Sequence, residues 1–210
     1  AGMQKLTGAP IPFFLPYMGA AAAVLIGIPT IAIAVSTLRT MASEPGKFAT
    51  SPSLRFTAAG VVCMLVLGIS STLTNLPNST LPLTQFSITH YGMDILAIYG
   101  CFSFVMFGAI YFIVPRITRR EWLSKRFIKM HFLFSMYGVI AVAVLSVLGG
   151  VLHGQGQEDF KFTWDSAVAR AYPYQMATLI AWCFVLLSNV FFFAHLLLMW
   201  MRLGRRSSHP

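Results

Sequence analysis

The chain has 210 residues, of which 57% are hydrophobic and only 10% are charged. A soluble domain carries about 25% charged residues, so the composition excludes an ordinary water-soluble protein. The formal net charge of +9 does not indicate nucleic acid as a partner, because the basic residues lie in short loops between long apolar runs.

Five long apolar runs follow one another along the chain. Runs of about 18 or more apolar residues with almost no charge are typical of transmembrane helices. The runs leave no room for a separate soluble domain, so the sequence predicts one transmembrane domain over residues 1–210, an all-α bundle of five helices embedded in a lipid bilayer. The predicted helices cover about residues 13–38, 56–76, 86–114, 130–152 and 174–201.

Small residues and prolines shape these predicted helices. The segment from Gly19 to Ala23 allows a close approach between helices. Pro29 lies inside the first helix and predicts a kink, because proline removes a backbone donor and clashes with the preceding turn. Pro115 is expected to end the third helix.

Lysine and arginine residues are distributed unevenly over the two sides of the predicted bundle. Because basic loops stay on the cytoplasmic side, we expect a C-terminus in the cytoplasm and an N-terminus outside. An outward N-terminus is natural for a chain that once continued upstream into more helices. One side carries twelve basic residues and the other carries Lys5, Lys161 and Arg170; the twelve are Arg39, Lys47, Arg55, Arg116, Arg119, Arg120, Lys125, Arg126, Lys129, Arg202, Arg205 and Arg206.

Ionisable residues inside a bilayer are costly and are therefore functional candidates. His90 and Asp94 lie near the outer end of the third predicted helix, and their spacing of four residues places them on one helix face. They could supply a haem or metal ligand or form a proton-relay pair. They could equally form a hydrogen-bonded pair at the membrane interface, where an aspartate near a helix start also favours the helix dipole.

His153 ends the fourth predicted helix on the same outer side. Two imidazoles from two helices are what a bis-histidine haem b requires, so His90 and His153 are the candidate cofactor-binding residues. Both lie near the polar boundary, where a histidine costs little, and interfacial hydrogen bonding explains them as well. The sequence contains no phosphate-binding loop, HExxH motif or nucleophilic triad, so we predict neither a catalytic residue nor a metal site.

Four further polar residues lie in the fourth and fifth predicted helices. His131 and His195 are near the inner helix ends, where they could pair with each other or with loop carbonyls, and we expect interfacial packing. Ser188 and Asn189 lie at mid-membrane depth, and we expect them to form hydrogen bonds between helices.

Several segments resemble subunit I of the cbb3-type cytochrome c oxidases, which are haem-copper oxidases. The segment Gly108-Ala-Ile-Tyr-Phe-Ile-Val-Pro-Arg116 is similar to the end of a late helix in that family. Similarity continues through Met130-His131-Phe132 to Gly138, and Tyr172-Pro173-Tyr174 resembles the start of the last helix. The resemblance covers about residues 80–205 and implies that the five helices match the last five of the family's twelve.

The chain departs from this family at the positions that would bind haem. In the family, a His-x-His motif on the tenth helix supplies one axial ligand to each of two haems. The corresponding positions here are Met93 and Ile95, and neither can act as an imidazole ligand. The copper ligands and the other haem ligand come from earlier helices, so the resemblance implies that haem and copper belong to partner chains.

Three functions therefore remain open. The first is a structural or split subunit of a respiratory complex related to cytochrome c oxidase or nitric oxide reductase, without its own copper site, beside a chain that carries the upstream helices and a c-type cytochrome. The second is a haem b electron carrier that uses His90 and His153. The third is a small membrane transporter, against which stands the scarcity of polar groups in the membrane interior.

Overall fold

The protein is seen here in a computed structural model that describes residues 12–43, 45–75, 80–159 and 163–201. These residues form eight α-helices and one π-helical segment. Their bounds are α1 Phe14–Ala42, α2 Pro45–Thr50, α3 Pro52–Thr74, α4 Leu81–Thr84, α5 Thr89–Ile95, the π-helical segment Leu96–Ser103, α6 Phe104–Thr118, α7 Lys125–Glu158 and α8 Trp164–Trp200.

Five helices in the described part of the chain are long and apolar enough to cross a bilayer. They are α1, α3, α7, α8 and the continuous run Thr89–Thr118, which α5, the π-helical segment and α6 form together and which we call the third span. The shortest, α3, has 23 residues. At about 1.5 Å per residue it is longer than the roughly 30 Å hydrocarbon layer. The predicted all-α membrane bundle is confirmed.

Each span packs against the span that follows it in the sequence. Helix α1 lies on α3, α3 lies on the third span, the third span lies on α7, and α7 lies along α8. Rings of α8 also reach the third span, as in the contact of Trp182 with Tyr99. The core therefore lies where α3, the third span, α7 and α8 meet, and its buried members include Phe56, Leu96, Phe104, Val139 and Val185.

Serine residues determine where two of the spans begin. Helix α3 begins at Pro52, before the expected start near residue 56, because the Ser51 hydroxyl accepts a hydrogen bond from the Leu54 N–H and proline is favoured in the first helical turn. Helix α7 likewise begins at Lys125, ahead of the expected residue 130, with Ser124 as its cap. Both helices therefore extend past their apolar runs into the basic loops.

The last span also starts earlier than expected. Helix α8 begins at Trp164 and not near residue 174, because the Thr163 hydroxyl accepts a hydrogen bond from the Ser166 N–H and Asp165 lies in the first turn. Pro173 lies inside this helix. The prediction placed the start of this helix at the edge of the apolar run, because hydrophobicity alone does not reveal a polar first turn.

The third span differs from its prediction at both ends and in the middle. It begins at Thr89, shortly after Phe86, whose φ of 58° breaks the helical path. It passes Pro115 and ends at Thr118, where Arg119 adopts a left-handed conformation. The π-helical turns at Leu96–Ser103 were not predicted, because apolar periodicity does not reveal how the backbone hydrogen bonds are paired.

Small residues let the first span approach its neighbour. Gly19, Ala20 and Ala23 are buried, as the predicted close approach requires. The opposite face of α1 exposes large apolar side chains such as Leu25 and Ile28, as a lipid-facing helix does. The kink predicted at Pro29 stays a prediction.

Two glycines set the distance between α7 and its neighbours. A Cβ at Gly150 would lie 2.9 Å from the Thr89 Cα, in addition to meeting the Thr89 amide nitrogen and hydroxyl. A Cβ at Gly138 would lie 2.8 Å from a Val185 methyl group and 3.0 Å from its amide nitrogen. Such contacts bring helix backbones together and replace the hydrophobic driving force that water supplies to soluble proteins.

We expect Gly150→Ala to destabilise the bundle by about 1–3 kcal/mol, because the added methyl group would press on the Thr89 backbone, which cannot rotate away. The free energy of unfolding, measured by denaturant titration in detergent micelles, tests this. Gly46→Ala in α2 is the matched control, since nothing lies within 4 Å of its added Cβ. Equal effects of the two substitutions would contradict a close contact at Gly150.

Candidate functional site

Polar side chains gather at one end of the bundle. This end, called here the basic end, carries Arg39 at the end of α1, Arg55 near the start of α3, Arg116 near the end of α6 and Lys125 at the start of α7. Buried beneath it is a group that we call the histidine–aromatic cluster. Its members are His131, His195, Tyr111, Trp122, Phe56, Phe107 and Phe192.

The cluster is built around a defect that proline causes in the third span. Pro115 has no N–H group, so it cannot donate to the carbonyl of Tyr111 four residues earlier. The indole Nε1–H of Trp122 donates to this carbonyl instead, at 3.1 Å. The loop between the third span and α7 is thereby folded back onto the helix that precedes it. The expectation that Pro115 ends the helix was wrong because the missing donor is supplied from outside the helix.

His131 lies at the centre of the cluster with no exposed surface. Its Nδ1 shares a hydrogen bond of 2.9 Å with the Tyr111 hydroxyl. The centroids of the Phe107, Phe56 and Phe192 rings lie 4.6, 4.9 and 5.0 Å from that of its imidazole. Among the residues that the structure describes, His131 Nε2 has no hydrogen-bond partner. The imidazole is therefore held from one side by a polar bond and enclosed elsewhere by rings.

His195 is equally buried and joins α8 to the start of α7. Its Nε2 accepts a hydrogen bond of 3.4 Å from the Ser124 N–H, and its ring centroid lies 4.8 Å from that of Trp122. Both histidines are fully enclosed by protein. The sequence suggested a loop carbonyl or the other histidine as the partner of His131, but its partner is the Tyr111 hydroxyl. Neither histidine is therefore merely an interfacial packing residue, because each carries a hydrogen bond between segments.

Tyr111 and Trp122 are the members of the cluster that sequence reasoning missed. Aromatic residues near helix ends are typical of membrane interfaces, and that pattern concealed their role. A usable signal was present, because a proline in a membrane helix always leaves the carbonyl four residues earlier without its usual donor.

The hydrogen bonds predicted for the middle of α8 are confirmed. The Ser135 hydroxyl in α7 donates to the Ser188 hydroxyl at 2.9 Å, and the Ser188 hydroxyl donates to the Val185 carbonyl. Asn189 Nδ2 donates to the Tyr99 hydroxyl in the third span at 3.0 Å. These bonds tie α8 to both neighbours at a depth where no water competes.

His153 lies at the opposite end of the bundle and is mostly buried, with 8% of its surface exposed. Its Nε2 lies 3.3 Å from Gln157 Nε2, and its ring packs against Trp164. Its Nδ1 has no hydrogen-bond partner within the described ranges. A buried imidazole nitrogen without a partner is one that a ligand could occupy.

His90 lies in the first turn of the third span and is partly exposed. Its neighbour Thr89 is the residue that contacts Gly150 of α7. Haem ligation by His90 and His153 stays a prediction. Asp94 is exposed.

The two positions that the resemblance aligns with haem-ligating histidines, Met93 and Ile95, do not supply a pair of imidazole ligands. Met93 is partly buried, and its sulfur accepts a hydrogen bond of 3.3 Å from the Ser70 hydroxyl of α3. Ile95 is partly buried and apolar. Met93 therefore joins the third span to α3. Within the described residues, no group of three or more His, Cys, Asp or Glu side chains could hold a metal ion.

The structure bears only in part on the predicted orientation. Arg39, Arg55, Arg116 and Lys125 share one end of the bundle, as the alternating helices require. Five of the basic residues used in the prediction lie outside the described residues, namely Lys5, Lys161, Arg202, Arg205 and Arg206.

We expect Trp122→Phe to cost about 1–3 kcal/mol, because it leaves the Tyr111 carbonyl without a donor in a buried setting. In a Pro115→Ala background the cost should fall, since the substituted alanine supplies the helical N–H to the same carbonyl. Denaturant titration of the two single variants and the double variant measures this coupling. Trp200→Phe, at a side chain that is 80% exposed, is the control. Additive effects would refute the role assigned to Trp122.

One comparison with known proteins bears on this architecture. Residues 5–182 match the family model described as Cytochrome C and Quinol oxidase polypeptide I. The match extends from the region before α1 to the middle of α8 and includes the third span, α7 and most of the histidine–aromatic cluster. It covers well over half of the chain, and the chain belongs to the Cytochrome C and Quinol oxidase polypeptide I family.

Proposed function

We propose that this chain is a structural or split subunit of a respiratory electron-transport complex and has no copper site of its own. It is a membrane subunit related to the haem-copper oxidases. In this proposal it corresponds to the last five helices of a cbb3-type subunit I. It sits in a bacterial inner membrane with its basic end in the cytoplasm. Haem and copper belong to partner chains, which include one with the upstream helices and a c-type cytochrome.

The observation that carries the proposal is the packing of the third span against α3. The Met93 sulfur takes a hydrogen bond from Ser70, at the position where the resemblance implies a haem-ligating histidine. Gly100 continues the same contact, since a Cβ there would lie 3.1 Å from the Cys63 sulfur. In this proposal, the face of the third span that binds haem in the family supports contact with α3 in this chain.

The outer faces of the bundle suit a protein that assembles with other membrane chains. Helix α8 exposes Ile180, Leu186 and Phe193, each by about two thirds of its surface (65%, 67% and 65%). Helix α1 exposes a comparable apolar face. Such faces contact lipid tails or neighbouring helices without any unpaired polar group. Partner helices can therefore dock by shape and small-residue packing alone.

A haem b electron carrier is the second candidate, and the buried His153 favours it. Its Nδ1 lacks a partner among the described residues, as one ring nitrogen of His131 and one of His195 also do, so this nitrogen could ligate a haem iron. When bound, a haem would supply one-electron transfer. The role of this chain's own residues would be limited to ligation by His90 and His153 and to enclosure by rings such as Trp164.

Purification in mild detergent separates these candidates. We expect the isolated chain to give no haem b in a reduced-minus-oxidised spectrum or a pyridine haemochrome assay. We expect the complex purified through a tag on this chain to contain haem, copper and an oxidase-like chain with the upstream helices. Mass spectrometry and metal analysis of the two preparations provide the measurement.

Three results would contradict the structural role. Haem b bound to the isolated chain and lost on His90→Ala or His153→Ala would establish the carrier, with His209→Ala as the control histidine outside the described residues. A chain that purifies alone and moves a solute across liposome membranes would establish a transporter. Copper bound stoichiometrically to the isolated chain would show that it has a copper site of its own.

A further inference from the structure

A cavity of about 590 Å³ opens at the basic end of the bundle, next to the histidine–aromatic cluster. It lies between the start of α3, the end of α6, the loop after α6 and the start of α7. Arg55, Lys125 and Lys129 line it together with one acidic residue, Glu121. Three cationic side chains therefore face one carboxylate around a single opening.

Two helix starts add to this positive charge. Arg55 and Pro52 belong to the first turn of α3, while Lys125 belongs to the first turn of α7. The N-terminus of a helix carries a partial positive charge and backbone N–H groups that favour anions. The helix starts and the side chains thus act in the same direction, and the cavity favours a negatively charged group.

The cavity is cationic at its rim and apolar further along α7. Lys125, Lys129 and Phe132 follow one another at spacings of four and three residues, so they share one face of the helix. Both lysines are exposed, and the apolar lining residues with accessible surface include Pro115, Trp122 and Phe132. Because α7 enters the bilayer in this direction, charge gives way to hydrocarbon as depth increases.

We propose that this cavity binds an anionic phospholipid of the surrounding membrane. The phosphate lies among Arg55, Lys125 and Lys129, and an acyl chain lies against Phe132 and the other apolar lining residues. A small soluble anion would satisfy the rim but leave the apolar surface empty. A zwitterionic lipid would bring no net charge to the cations. Basic pockets between membrane helices commonly bind lipid headgroups in this way.

This site goes beyond the proposed function, because it requires neither haem nor a partner chain. It fills a gap between α3 and α7, whose main packing partners are other helices. A bound lipid therefore links these two spans at the end where Trp122 and Pro115 also line the cavity.

Binding of a tail-labelled phosphatidylglycerol to the purified full-length chain in detergent tests the proposal. We expect K125Q/K129Q to weaken binding on the order of 30-fold, as the loss of two surface cations implies. The control R119Q/R126Q removes two charges from the same end of the bundle at residues that do not line the cavity, and it should change binding less than twofold. Glu121→Gln should strengthen binding, because it removes the only carboxylate among the lining residues of this cavity.

Competitors identify the ligand. Unlabelled phosphatidylglycerol should displace the probe, whereas phosphatidylcholine and soluble glycerol 3-phosphate should not at equal concentration. Equal weakening by the two double variants would overturn the proposal in favour of general surface charge. Displacement by glycerol 3-phosphate at lipid-like concentrations would reveal a site for free phosphate and would overturn the lipid assignment. If phosphatidylcholine displaced the probe as effectively as phosphatidylglycerol, the proposed preference of the three cationic side chains for an anionic lipid would be wrong.

Discussion

The hydrogen bond from the Trp122 indole to the Tyr111 carbonyl organises the basic end of this protein. It exists because Pro115 leaves that carbonyl without a helical donor. The bond folds the loop back, and the same loop then presents the Ser124 N–H to His195. The start of α7, the end of α8 and the third span are thereby joined through three polar contacts, of which the third, the buried Tyr111–His131 pair, links the third span to α7.

This arrangement shows how two imidazoles are held inside a membrane protein. A buried polar group is costly unless it is hydrogen-bonded. Each ring has one such bond to a neighbouring segment, while His131 Nε2 and His195 Nδ1 have no partner among the described residues. Aromatic rings fill the remaining space around His131. The histidines therefore act as connectors between helices, and their presence does not by itself point to a cofactor.

Membership of the oxidase polypeptide I family and the packing of the third span lead to different conclusions about chemistry. The family establishes the ancestry of the fold, but function resides in the residues of a site. Here Met93 and Gly100 face α3 in direct contact. In this chain the contact between the third span and α3 is a packing contact between helices. The cavity beside Arg55 and Lys129 is a separate feature, formed where α3 and α7 diverge at the membrane surface.

The sequence by itself determined the number of spans and the all-α class, because apolar runs of membrane length admit no other structure in a bilayer. The resemblance of its segments indicated the haem-copper oxidases, which the family match supports. It also predicted the interhelical bonds of Ser188 and Asn189, since polar groups at mid-membrane depth must find a partner.

The starts of α3, α7 and α8 lay earlier than the apolar runs, because caps such as Ser51 and Thr163 extend helices into polar segments. Only the tertiary structure decided that the Trp122 indole replaces the donor missing at Pro115 and that His131 pairs with Tyr111. It also decided that Arg55, Lys125 and Lys129 line one cavity. Each of these contacts depends on the distance between separate helices. Small residues such as Gly138 and Gly150 set that distance, and the spacing of residues along the sequence does not reveal it.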